Sequence, residues 1–112
     1  MKISAHVKSA GSSHEVTVST QDSVRALAVP AKPTGVGSAV NGGEFLMLAR
    51  ATCYCNDLYR EASRLGITLA GVEVQAAADF AGVGLAASNV TYRARVQSSE
   101  PPRAEIGPPT SN

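Results

Sequence analysis

Eleven consecutive residues constrain this chain more than any others: Phe45 to Cys55, FLMLARATCYC, with Arg50 the only charge among them. The run lies in a segment that reads as one long helix. Asn41 precedes it as an N-cap, and Glu44 sits in the first turn, where a carboxylate suits the positive end of the helix dipole. Arg60 and Arg64 lie near the far end, about Leu65, and Gly66 fits the position where helices stop. A helix on a sheet, with its other side in water, needs an apolar stripe only about 100° wide. This one is apolar nearly all round for three turns, so it needs cover on two sides. Only the second half, Asn56 to Arg64, carries the charges Asp57, Arg60, Glu61 and Arg64 that can meet solvent.

The flanking segments read as strands. Ile3, Ala5 and Val7 alternate with polar residues, Ala10-Gly11-Ser12-Ser13 signals a turn, and Val16 and Val18 resume the alternation. A second turn at Gln21-Asp22-Ser23 leads to a third strand over Val24–Val29. Pro30 to Asn41 is loop. After the helix, Ile67 to Phe80 alternates, Ala81 to Ser88 connects, and Asn89 to Gln97 forms the last strand. There Val90, Tyr92, Ala94 and Val96 face one way, and Thr91, Arg93, Arg95 and Gln97 the other. The order β-β-β-α-β-β predicts an α+β fold: an antiparallel sheet of about five strands packed on one long central helix. Residues 1–97 form the expected domain. Four of the six prolines fall in the last twelve residues, and 98–112 is expected to be a disordered tail. That tail cannot supply the helix's second cover. A second subunit can, most simply in a two-fold homodimer.

Composition removes several functions. Ten basic and nine acidic residues give a net charge of +1, without the basic excess of a nucleic-acid binder. No run of eighteen apolar residues predicts a membrane span, and the N-terminus lacks the apolar core of a signal peptide. Two cysteines, Cys53 and Cys55, are too few for a disulfide framework, so the expectation is a reduced, cytoplasmic protein.

Residues i and i+2 of a helix point about 200° apart. Cys53 and Cys55 therefore cannot pair with each other or chelate one metal ion, and with only His6 and His14 elsewhere neither a metal site nor a cofactor is expected. Both cysteines can be small buried hydrophobes, the ordinary role of a free cysteine. Cys53 has a second reading. Arg50, three residues earlier, shares its side of the helix, and a guanidinium beside a thiol favours the reactive thiolate. Arg50 can equally pair with a carboxylate.

The segment Asn41-Gly42-Gly43-Glu44-Phe45-Leu46-Met47-Leu48-Ala49-Arg50-Ala51-Thr52-Cys53, continuing into Gly66-Ile67 and Gly71-Val72-Glu73-Val74, resembles the OsmC/Ohr family of small thiol proteins. That family enters its central helix with a pattern of the type N-P-E-E-L-x-x-A-x-x-A-x-C. The resemblance implies an intertwined homodimer and thiol-dependent reduction of organic hydroperoxides, with Cys53 at the position of the peroxidatic cysteine. A thiolate there attacks the peroxide and becomes a sulfenic acid.

The chain departs from the family pattern in three places. The family glutamate falls at Gly43, with Glu44 one residue later. The hairpin that carries the family arginine reads Ala10-Gly11-Ser12-Ser13-His14, leaving His14 or Arg50 as substitutes. After Gln97, where a second helix with a resolving cysteine is expected, the sequence is SSEPPRAEIGPPTSN, so the chain reads as C-terminally shortened. Three readings follow. The first is a one-cysteine peroxide reductase using Cys53, with Arg50 and Glu44 as its candidate partners and an external thiol as reductant. The second is a non-catalytic OsmC-like dimer that binds a small apolar ligand. The third is a structural dimer with two core cysteines.

Overall fold

The computed structural model describes residues 1–82 and 84–99; the expected tail, from residue 100 onward, lies outside the described residues. The elements are β1 (Ile3–Ala10), β2 (Ser13–Thr20), β3 (Ser23–Leu27), α1 (Gly42–Arg64), β4 (Leu69–Phe80) and β5 (Ala87–Ser98). The expected α+β order is therefore present. The strands form two antiparallel sheets, β1-β2-β3 and β4-β5, where the sequence predicts one. Alternation identifies a strand and its faces but carries no information about which edges pair. The chain divides into two compact units, one from Met1 to Gly42 and one from Gly43 onward.

In the first unit, β1 and β2 pair from Ile3↔Thr20 to Ala10↔Ser13 around the two-residue turn Gly11-Ser12. Gly11 has φ 58°, a left-handed conformation that glycine adopts without steric cost. Gln21 also has a positive φ, 54°, and is not a glycine. Two hydrogen bonds hold it there: its N–H donates to the Lys2 carbonyl at 2.8 Å, and its Oε1 accepts from the Lys2 N–H at 2.7 Å. Val16, opposite both Val7 and Leu27, is buried, whereas β1 is exposed along its whole length. β3 ends at Leu27 rather than Val29. The loop that follows has more order than its sequence suggests: Ala31 bridges Ser38, and Gly35 and Gly37 take positive φ between them.

In the second unit, α1 begins one residue after Asn41. It ends on two crossed hydrogen bonds, Gly66 N–H to Ser63 carbonyl at 3.1 Å and Ile67 N–H to Ala62 carbonyl at 2.8 Å. With Gly66 at φ 71°, this is a Schellman cap, and it satisfies carbonyls that the helix leaves without partners. Asp57–Arg60 and Glu61–Arg64 form ion pairs one turn apart on the charged half. Leu58 and Ala62 are the buried residues of the helix, at 2% and 1% exposure.

β4 starts at Leu69, two residues later than expected. β5 begins two residues earlier and ends one later than expected, and Ser99 continues from it with its N–H donating to the Thr68 carbonyl at 3.2 Å. The two strands pair from Leu69↔Ser98 to Phe80↔Ala87, with a register shift between Ala77 and Asp79. Opposed residues share a face. Val72↔Val96, Val74↔Ala94 and Ala76↔Tyr92 lie on one, and Glu73↔Arg95 and Gln75↔Arg93 on the other, as the alternation predicts.

Candidate functional site

The covered side of α1 is the stripe Met47, Ala51, Tyr54, Leu58 and Ala62, at spacings of four, three, four and four. Arg50 lies on its margin, one turn before Tyr54. Both reach the same residue of β5. The Tyr54 and Tyr92 rings stack, with centroids 5.3 Å apart and planes 20° from parallel. Arg50 Nη1 donates a hydrogen bond to Tyr92 Oη at 3.1 Å. Ala76 stands opposite Tyr92 in the register, a small side chain beside a large one. One tyrosine thus joins the helix to the hairpin through a ring face and a hydroxyl.

The same geometry leaves a donor unused. Arg50 Nε is buried and has no hydrogen-bond partner. An unsatisfied buried donor costs roughly 1–3 kcal/mol. The ion pairs among the described residues join other arginines to carboxylates, so the partner of Arg50 is a phenol rather than an acid.

Cys53 is exposed. It lies about 100° round the helix from Tyr54, on the side of Leu46 and Ala49. Cys55 is half-buried on the opposite flank, so each thiol is free and the two point apart, as the helical spacing requires. Glu44 is exposed in the first turn. Nine residues separate it from Cys53, half a revolution of the helix and about 13 Å of rise. The helix therefore does not bring Glu44 to Cys53. Arg50 is three residues from Cys53, but its guanidinium turns toward β5 and bonds Tyr92. His14, on β2, is half-buried with Nδ1 lacking a partner.

Tyr54 and Tyr92 were not among the residues the sequence singled out. The pattern places Tyr92 on the apolar face of β5 and Tyr54 four residues after Arg50. Their meeting is a contact across 38 residues that no local spacing encodes.

The other side of the helix is open. Leu48 and Tyr59 share one flank and are 59% and 44% exposed, and Leu46, on the flank of Cys53, is 41% exposed. A recess of about 420 Å³ lies at the end of α1, lined by Tyr59, Ala62, Ser63, Gly66, Ile67, Thr68 and Leu69. Among the described residues no group of three or more His, Cys, Asp or Glu side chains is placed to hold a metal ion, and no helix is long and apolar enough to cross a membrane.

The family model described as OsmC-like protein matches residues 35–107, about two thirds of the chain. No curated protein and no solved structure matches it. The matched span contains the whole of α1, β4 and β5, and with them Cys53, Arg50, Tyr54 and Tyr92. The chain belongs to the OsmC-like protein family.

Proposed function

We propose that this chain is a thiol-dependent reductant of organic hydroperoxides, with Cys53 as its reacting group. The observation that carries the proposal is an exposed thiol on the central helix of an OsmC-like domain. The Cys53 thiolate attacks the terminal oxygen of the hydroperoxide and the O–O bond breaks. Sulfur is oxidised by two electrons to the sulfenic acid, and the alkoxide takes a proton and leaves as the alcohol. Cys55 points away from Cys53, so the sulfenic acid is resolved by an external thiol. That thiol forms a mixed disulfide and releases water, and a second equivalent returns Cys53 to the thiol. Turnover is slow. Glu44 stands on the far side of the helix and Arg50 is tied to Tyr92, and each misplaced group in such a site costs about a hundredfold or more. The chemistry requires a reducing setting, such as the cytoplasm.

The working form is a homodimer that closes over the open face of α1. Leu48 and Tyr59, on one flank of α1, support this reading, as do Ile3, Val7, Val24 and Leu27 of the first unit, exposed at 66%, 59%, 66% and 45%.

The test is peroxide consumption by the purified, reduced protein. Cumene hydroperoxide should oxidise one thiol per chain. Cys53→Ser should abolish the reaction and Cys55→Ser should retain it. If the reduced protein leaves the peroxide untouched over hours, Cys53 is not a peroxidatic thiol.

A further inference from the structure

We infer that over-oxidation of Cys53 locks the helix to the hairpin: a sulfinate at that position becomes the acceptor that the Arg50 Nε–H lacks. The oxidation rests on the thiol chemistry proposed above, and the lock rests on the geometry of Arg50.

In the reduced protein Arg50 is only partly satisfied. Nη1 donates to Tyr92 Oη at 3.1 Å, while Nε, on the opposite edge of the guanidinium, is buried without an acceptor. The donors of a guanidinium diverge in a rigid planar fork, so the edge engaged on Tyr92 fixes where the other edge faces. Tyr54, which stacks on Tyr92, lies about 40° to one side of Arg50 around the helix, and Cys53 lies about 60° to the other. The Nε edge therefore faces the flank of Cys53. Side chains of a helix lean toward its N-terminus, so the Cys53 sulfur leans over the turn that starts at Arg50. A thiol is a weak acceptor and leaves Nε unpaired. The carboxylates further along this flank are spent on other arginines, Asp57 on Arg60 and Glu61 on Arg64.

Oxidation changes the acceptor. When the reducing thiol runs short, the Cys53 sulfenate meets a second organic hydroperoxide. Its sulfur attacks the terminal oxygen and the O–O bond breaks. Sulfur loses two further electrons and becomes the sulfinate, and the alkoxide takes a proton and leaves as a second molecule of alcohol. A sulfinate carries a full negative charge on two oxygens, which suits the edge of a guanidinium. The helix itself delivers this anion, so no cavity is needed. Nη1 stays on Tyr92, and a charge-assisted bond replaces an unsatisfied donor. The oxidised chain thus joins α1 to β5 more firmly than the reduced one. Thiols do not reverse a sulfinate, so the lock is a lasting record of excess peroxide.

The experiment places a carboxylate at the same position without any peroxide, so this inference and the thiol chemistry can fail separately. Full-length Cys53→Asp is compared with its neutral counterpart Cys53→Asn, each with and without Arg50→Gln. Cys53→Asp should melt several degrees above Cys53→Asn, and the difference should vanish in the Arg50→Gln background. In nitrogen–proton NMR spectra the Arg50 Nε–H proton should move downfield in Cys53→Asp and exchange with water several times more slowly than in Cys53→Asn. That signal decides the question if Arg50→Gln fails to fold. Equal melting of the two variants with an unmoved Nε–H would overturn the inference, as would an advantage that survives Arg50→Gln. The parent protein, treated with excess cumene hydroperoxide until Cys53 has gained two oxygens by mass, should show the same Nε–H shift. Doubly oxidised protein with that signal unmoved would overturn the inference as well. A thiol that takes up no oxygen overturns the proposed function instead, while Cys53→Asp still decides whether Arg50 accepts an anion there.

Discussion

Cys53 and Cys55 share a helix and differ in access, and that difference decides which one can meet a reagent. The exposed Cys53 should be labelled by a maleimide several times faster than the half-buried Cys55 in the native protein, with the two rates converging in urea. Mass mapping of singly labelled protein checks this. At the charged end of the helix, the hydrogen bond from Arg64 holds the Glu61 carboxyl below its ordinary value of 4.5 and raises the arginine, the mutual attraction of the two charges acting in the same direction. A carboxyl held low in the folded chain stabilises it above that ordinary value, and the contribution is lost as the pH falls through the lowered one. The pair is solvated, so its effect is small. Glu61→Gln should lower the melting temperature slightly at neutral pH. The gap to the parent should close well below pH 4.5 and shrink in high salt.

At the scale of the element, α1 owes its position to few residues. Leu58 is 2% exposed in a chain with little else buried among its described residues. Leu58→Ala should cost about 2–5 kcal/mol, read from the urea midpoint. The cap at Gly66 is a separate determinant. A Cβ there would meet nothing within 4 Å, so the only penalty is the positive φ. Gly66→Ala should cost about 1 kcal/mol, while Gly42→Ala, with ordinary φ and open space, should be close to neutral. The helix itself was legible in the sequence from cap to cap, because Asn41, Glu44 and Gly66 act within a few bonds of the backbone they terminate. The pairing of strands was less legible. Alternation gave the faces of β4 and β5 correctly, and the register that puts Ala76 beside Tyr92 emerged only from the sheet.

For the whole molecule, the proposed dimer makes a distinct claim about the open face of α1. Leu48 is 59% exposed and lies away from the stripe that carries Leu58. Leu48→Glu should leave the helical circular dichroism intact and shift sedimentation from dimer to monomer. A variant that still sediments as a dimer would place the interface elsewhere.

The sequence alone determined the secondary structure, the family and the surplus of apolar surface on one helix. The first and the last follow from short-range rules, period and capping chemistry, and the family from the resemblance carried by the motif around Cys53. The tertiary structure decided which apolar faces are covered, that five strands divide into two sheets, and that Arg50 answers to Tyr92 rather than to Glu44 or Cys53. Those outcomes depend on contacts between residues far apart in the chain, where packing and hydrogen-bond geometry choose among partners that the local pattern leaves equivalent. The apolar run from Phe45 to Cys55 belongs to both levels. Its composition called for two covers, and the fold supplied one.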